Sequence, residues 1–274
     1  MPELPEVETV VREIRAPLVG RRFARVRAGK LALRKPWQPA WAKILTGSRV
    51  TAVTRRGKWI VIEIERNRYL VVHLGMTGQF TVTHADAPIA AHTHFVIGLD
   101  NGAELRYRDV RRFGSLTLYA GRAELDASFE SAGLGPEPFG LDRKYWRDSL
   151  ARTARSLKAV LLDQRVVAGV GNIYADESLF RAKLHPALIG KTLTPAASDR
   201  LRKAIEGVLT FAIERRGSSI RDYIGGSGER GSFQNEFKVY GQTGKPCPRC
   251  KTPISRIRLA GRSTHFCPKC QRVE

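Results

Sequence analysis

A chain of 274 residues with 42% apolar composition is long enough for one large or two ordinary domains with real cores, and no apolar run reaches membrane-spanning length. The 47 Lys and Arg against 26 Asp and Glu leave a net charge of +21. Such an excess argues for a polyanionic partner, because each phosphate neutralised by a basic group releases condensed counterions, although charge alone does not separate DNA from RNA.

The chain opens Met1-Pro2-Glu3-Leu4-Pro5-Glu6, an acidic, proline-containing start unlike a signal peptide, so the cytoplasm is the expected compartment. Pro5 suits the first turn of a helix, and Val7, Val10, Val11 and Ile14 recur on one helical face. A helix with a buried stripe is therefore expected right after Pro2. Removal of Met1 would leave Pro2 with a free secondary amine beside two carboxylates. An α-amino group titrates near about 8, below lysine, so more of it is neutral and nucleophilic at pH 7. Attack by this amine on a sugar or carbonyl carbon gives a cationic iminium, a covalent route that splits one hard displacement into two. The helix dipole lowers the amine pKa while Glu3 and Glu6 raise it. Taken alone, the segment is a plain helix-start signal.

Residues from about 20 to 120 read mainly as short strands, for example Phe23 to Arg27, Trp59 to Ile64, Tyr69 to His73, Phe95 to Leu99 and Ser115 to Tyr119, the pattern of a sandwich or barrel. Gly133 to Gly140, with Pro136 and Pro138, breaks this pattern as an interdomain linker. From Leu141 to about Arg216 the apolar spacing becomes helical, as in Leu157, Val160 and Leu161 and in Ile205, Leu209 and Ile213. Inside this helical domain, Gly169-Val170-Gly171-Asn172 feeds a helix start. Free amides there suit a phosphate, and an ordinary tight turn capped by Asn172 explains the segment equally well. Gly217 to Gly231, rich in Gly and Ser, reads as a mobile loop of functional length.

All four cysteines fall near the C-terminus, as Cys247-Pro-Arg-Cys250 and Cys267-Pro-Lys-Cys270. The C-x2-C-x16-C-x2-C spacing fits a zinc ribbon, with four thiolates closing a structural Zn2+ site; two disulfides are the alternative, disfavoured in a cytoplasmic chain. Ile254, Ile257 and Leu259 alternate with Arg256 and Arg258, which predicts a hairpin turning near Gly261-Arg262-Ser263.

Together the segments Met1 to Val10, Arg56-Gly-Lys58, His73-Leu-Gly-Met-Thr-Gly78, Asp109-Val-Arg-Arg-Phe-Gly114, Val170 to Ala175 and Gly261 to Cys267 closely resemble the bacterial formamidopyrimidine-DNA glycosylases, in that family's order and over nearly the whole chain. The resemblance implies an α+β multidomain fold: an N-terminal β-sandwich opened by a helix (1–134), a helix-two-turn-helix domain (135–230) with a lesion-recognition loop at 217–231, and a β-hairpin zinc finger (238–274). It also implies a monomeric enzyme, associated with the nucleoid, that holds double-stranded DNA with oxidised bases or abasic sites between its domains and removes 8-oxoguanine and ring-opened purines. Pro2 would attack C1′ of the damaged nucleotide, Glu3 would protonate the sugar or assist ring opening, Lys58 would act in β-elimination and Arg262 at the phosphate lost in the second elimination. Plain phosphate binding is the alternative for Lys58 and Arg262.

Because a lesion is unreachable inside stacked DNA, the nucleotide must be flipped out and the gap filled. Met76, Arg111 and Phe113 match the family's inserting residues and suit the task as an apolar wedge, a forked donor for the orphaned cytosine and a ring that parts a base step. Core packing is the alternative for Met76 and Phe113. His92, Lys158, Asn172 and Tyr240 resemble DNA contacts, and Thr153 stands where some relatives have a basic phosphate ligand, with Arg152 and Arg155 as substitutes. His92 and His94 would share a strand face, but no further metal ligand accompanies them. Two other readings remain: a sister glycosylase of the endonuclease VIII type acting on oxidised pyrimidines, and a non-catalytic reader of damaged DNA.

Overall fold

A computed structural model describes residues 1–219 and 224–272; residues 220–223 of the loop expected at 217–231, and residues 273 and 274, lie outside the described residues. The chain forms two compact units, Met1–Ser131 with Arg215–Gln234, and Ala132–Glu214 with Asn235–Glu274. The segment 215–234, which the sequence attaches to the end of the helical domain, belongs to the first unit.

The first unit begins with helix α1 (Leu4–Leu18), whose apolar stripe behaves as its spacing predicts: Leu4, Val7, Val10, Val11, Ile14 and Leu18 are all fully buried. Pro17 withholds a backbone donor in the last turn, and the chain leaves the helix at the extended Val19. Strand β1 (Phe23–Ala28) and the short helix α2 (Pro39–Leu45) follow. The remaining strands are β2 (Val50–Arg56), β3 (Trp59–Ile64), β4 (Arg68–His73), β5 (Gly78–His84), β6 (Thr93–Leu99), β7 (Ala103–Asp109) and β8 (Ser115–Tyr119). They make two four-stranded antiparallel sheets, ordered β1-β6-β7-β5 and β2-β3-β4-β8. One core cluster takes Phe23, Ile97 and Leu105 from the first sheet, Val53, Ile62 and Val72 from the second, and Val7, Val10 and Ile14 from α1, so this is the expected sandwich with its N-terminal helix. Each such fully buried aliphatic side chain contributes roughly 1.5–3 kcal/mol.

The sequence pattern gives no sign of helix α3 (Arg122–Ser131), yet its Leu125 and Phe129 cover Val61, Tyr69, Val71 and Tyr119 on the outer face of the second sheet. That cover explains why β3 and β4 are apolar on both faces instead of alternating.

The second unit holds α4 (Arg143–Ala151), α5 (Leu157–Leu162), α6 (Asn172–Ala182), α7 (Pro195–Glu214) and the hairpin of β9 (Ser255–Leu259) and β10 (Arg262–Phe266). Asp142 caps α4 through Tyr145 N at 2.7 Å, and Ser156 caps α5 through Ala159 N at 3.3 Å. Trp146 is wholly buried and donates its indole N–H to Ser198 O at 3.0 Å, joining α4 to α7. Between α5 and α6, Gln164 donates to Leu162 O and Val170 O and accepts the Gly169 N–H, which fixes the glycine-rich turn. The cap there is Gly171; Asn172 is the first helical residue, and its side chain is turned to another use. The hairpin turns through Ala260 and Gly261, both at positive φ (48° and 71°), one residue earlier than expected, and Arg262 opens β10 opposite Leu259. Among the described residues no helix is long and apolar enough to cross a membrane.

Ile14→Ala, which empties the α1 stripe where it meets both sheets, should destabilise the first unit by about 2–5 kcal/mol. A urea midpoint for the variant equal to that of the parent protein would contradict this packing.

Candidate functional site

Pro2 is buried at the head of α1 while Met1 is more than half exposed. With Met1 in place the Pro2 nitrogen is a tertiary amide; cleavage converts it to the secondary amine. Glu3, only 3% exposed, is the N-cap, and it forms a reciprocal capping box with Glu6, whose Oε2 accepts Glu3 N–H at 2.8 Å. The other Glu6 oxygen accepts the backbone N–H and the hydroxyl of Ser218 at 2.7 and 3.1 Å. Two turns along the same helix, Glu13 accepts Ser227 N–H at 3.0 Å and its hydroxyl at 3.1 Å, and pairs with Arg216 at 2.6 Å. The described stems of the segment expected to be a mobile loop are thus tied to the helix that carries Pro2. Lys58 lies in the turn between β2 and β3, after Gly57 at φ 55°, and is 5% exposed.

His73, at the end of β4, packs its ring at 5.0 Å from that of Trp59, the residue after Lys58. Burial, together with the cations Lys58, Arg34 and Lys35, holds its pKa down at about 4 against the pull of Asp109. The ring is therefore neutral at pH 7, and its Nδ1 accepts the Gly75 N–H at 3.1 Å. Met76, Arg111 and Phe113 are all exposed, which sets aside core packing for the first and last. The Arg111 guanidinium lies over the Phe113 ring at 4.6 Å from its centroid. His92 is exposed at φ 67°, whereas His94 is buried and its Nε2 meets Asp109 O at 2.9 Å; the two imidazoles do not share a strand face.

In the second unit Asn172 donates from its side-chain amide to Ser263 O at 3.0 Å, the residue after Arg262, which is exposed. Lys158 departs from the role expected of it. Its ammonium is wholly buried, donates to Asp176 at 2.5 Å and to Asn172 O at 3.0 Å, and so braces the start of α6 instead of facing a phosphate. The second Asp176 oxygen accepts His265 N–H at 2.9 Å and meets its Nδ1 at 3.0 Å, which docks β10 on α6. The neighbouring Glu177, also buried, accepts the backbone N–H groups of Lys238, Val239 and Tyr240 at 2.9–3.1 Å. Burial pushes its carboxyl up, and those three donors pull against it. Tyr240 is half-buried with its ring 5.1 Å from that of His265. The Thr153 hydroxyl accepts from Arg155 N and Nε at 3.2 and 3.3 Å, so Arg152 and Arg155 are the exposed cations of that stretch.

Sequence reasoning assigns Asp109, Asp176 and Glu177 no role. The available signal is two adjacent acids in a helix whose neighbours Ile173, Tyr174, Ala175, Leu179 and Phe180 are all apolar.

The four cysteine sulfurs lie within 4.8 Å of one another, with Cys247 to Cys270 at 3.9 Å and Cys250 to Cys267 at 3.4 Å. Four sulfurs at about 2.3 Å from a tetrahedral Zn2+ are roughly 3.8 Å apart, so the cluster fits that ion and leaves no open coordination position. Gln271, wholly buried, accepts Cys267 N–H at 2.9 Å and donates to Leu184 O at 2.9 Å, anchoring one cysteine knuckle to the helical region. The zinc ion supplies folding free energy here, not reactivity. Chelation, or Cys247→Ser, should loosen residues 255–266 and weaken DNA binding; unchanged amide exchange in the hairpin together with unchanged affinity would show that the metal does not support this interface.

Three family models match the chain: the formamidopyrimidine-DNA glycosylase N-terminal domain over residues 1–116, the H2TH domain of the same enzymes over 134–223, and the zinc finger found in FPG and IleRS over 244–273. Among curated relatives, the formamidopyrimidine-DNA glycosylase of Heliobacterium modesticaldum is 44% identical over 99% of this chain and 100% of its own length. That of Herpetosiphon aurantiacus is 45% identical over the same shares. Among solved structures, a Lactococcus lactis Fpg in complex with DNA containing an abasic site superposes with a TM-score of 0.92 at 38% identity, covering 98% of this chain and 99% of that one. A Lactococcus lactis Fpg mutant with Fapy-dG-containing DNA gives 0.92 at 38%, over 99% and 100%. With full-length likeness in sequence, fold and cysteine cluster, the chain belongs to the formamidopyrimidine-DNA glycosylase family.

Proposed function

We propose that Pro2, freed by removal of Met1, is the nucleophile with which this base-excision-repair DNA glycosylase removes oxidised purines and then cleaves the strand. Membership of the family makes the protein a DNA glycosylase, and AP lyase activity is typical of that family. DNA carrying Fapy-dG or an abasic site, held by its solved relatives, is the substrate class assigned to it. An address in the cytoplasm, on the nucleoid, follows from that substrate and keeps the four thiols reduced for zinc.

The observation that carries the reading is the seating of Pro2. A terminal residue ordinarily frays, but this one is buried at the head of a helix whose stripe is wholly enclosed and whose cap is closed by Glu3 and Glu6. In the proposed sequence the Pro2 nitrogen bonds to C1′ as the bond from C1′ to the base breaks, and the base leaves with a proton. Glu3 delivers a proton to O4′ as the sugar ring opens to the iminium. Loss of a C2′ proton then expels the 3′ phosphate, with Lys58 assisting, and a second elimination expels the 5′ phosphate, with Arg262 holding it. Met76, Arg111 and Phe113 occupy the space vacated by the flipped nucleotide. His92, Asn172 and Tyr240, with Thr153 and its neighbouring arginines, hold the backbone, and Lys158 supports Asn172 from within.

Borohydride reduction on an abasic duplex should yield a covalent protein–DNA adduct without added cofactor, lost in Pro2→Gly and in protein whose intact mass retains Met1. An adduct that forms undiminished with Pro2→Gly would end the assignment of the nucleophile. Release of 8-oxoguanine in preference to thymine glycol is expected from the same preparation; the reverse preference would move the enzyme to the pyrimidine-specific branch.

A further inference from the structure

We propose that Asp109 is a positioning residue that locks the loop carrying Met76 and the loop carrying Arg111 and Phe113 into one preformed wedge. This rests on the function proposed above and adds the device that aims its inserting side chains. Met76 follows β4 and Phe113 follows β7, strands of different sheets. Their coupling lies in the buried groups beneath them.

The Asp109 carboxylate is wholly enclosed. One oxygen accepts the hydroxyl of Thr77, the residue after Met76, at 2.5 Å. The other accepts the backbone N–H of Gly114, the residue after Phe113, at 2.9 Å and the Tyr107 hydroxyl at 3.2 Å. The Thr77 oxygen in turn accepts the Arg111 N–H at 3.0 Å, so this one hydroxyl donates to the carboxylate and receives from the second loop. Burial and the Asp109 charge push the Tyr107 phenol far above its usual range, which keeps it a donor. No side chain separates the two loops: a Cβ on Gly75 would come within 2.5 Å of Gly114 N and of the Phe113 carbonyl carbon.

The chemistry suits a wedge. Side chains that part a base step must not yield to the stack they open, and two independently flexible loops would. A charged acceptor shared by three donors is stiffer than a neutral one, because charge-assisted hydrogen bonds are shorter and stronger. Its burial shields that stiffness from salt and water.

Thr77→Val keeps the side-chain shape and deletes only the bridging hydroxyl; Thr77→Ser restores it. Single-turnover excision of 8-oxoguanine from a duplex is to be compared with cleavage of an abasic site in a single strand, where no stack has to be opened. Thr77→Val should slow the duplex reaction on the order of 10- to 100-fold while leaving single-strand cleavage at the parent rate, and Thr77→Ser should recover the duplex rate. Parent-level duplex excision by Thr77→Val overturns the proposal, and so does a parallel loss of both reactions, which would mean that the hydroxyl only holds the fold. Parent protein that cleaves neither substrate removes the function itself, and the wedge with it.

Discussion

The structure depends on one recurrent interaction: a buried carboxylate that gives its charge to the backbone N–H groups of a segment far away in sequence. Glu6 does this for Ser218, Asp176 for His265, and Glu177 for Lys238, Val239 and Tyr240, while Asp109 joins the nearby Gly114 N–H to the distant Thr77 hydroxyl. All four are at most 4% exposed. Enclosing a carboxylate costs several kcal/mol unless its lone pairs are filled, and removing an acceptor strands the donors that faced it. Such a contact is therefore rigid by necessity, and each of the four sits directly beneath or beside a residue assigned to the chemistry or to DNA.

This arrangement also shapes the surface. With several acids withdrawn into the interior, the exposed groups are more one-sidedly basic than the net charge of +21 alone conveys. Lys158 is a buried cation that fits the same rule. Its charge is cancelled inside by Asp176, so it contributes to the order of α6 and nothing to the external field. The cysteine cluster plays the corresponding part for the hairpin, a small element beside a core cluster in which Phe180 of α6 packs with Val239, Cys247, Ile254 and Cys267.

Local rules made much of this legible in the sequence. The spacing of Val7, Val10, Val11 and Ile14 foretold the α1 stripe, the strands at Trp59 to Ile64 and Ser115 to Tyr119 stood at their observed bounds, and the cysteine spacing announced the metal site. The exposed tips Met76, Arg111 and Phe113 were reachable through the family motif alone. The carboxylate anchors were not legible, because an acid is read as a solvated residue until its partner is known, and the partners lie 32, 89 and 212 residues away for Asp109 with Thr77, Asp176 with His265, and Glu6 with Ser218. The same blindness hid the buried Asp176 partner of Lys158, expected only as a DNA contact by resemblance, and made Asn172 look like a cap, where Gly171 fills that position and frees the amide for Ser263.

Helix α1 also serves as a ruler. Glu6 and Glu13 grip Ser218 and Ser227, and seven residues of helix set those two grips about 10 Å apart along its axis. The spacing of those two grips is therefore set by helical rise. One residue inserted between the two acids would swing one grip by roughly 100° around the cylinder and break the pair.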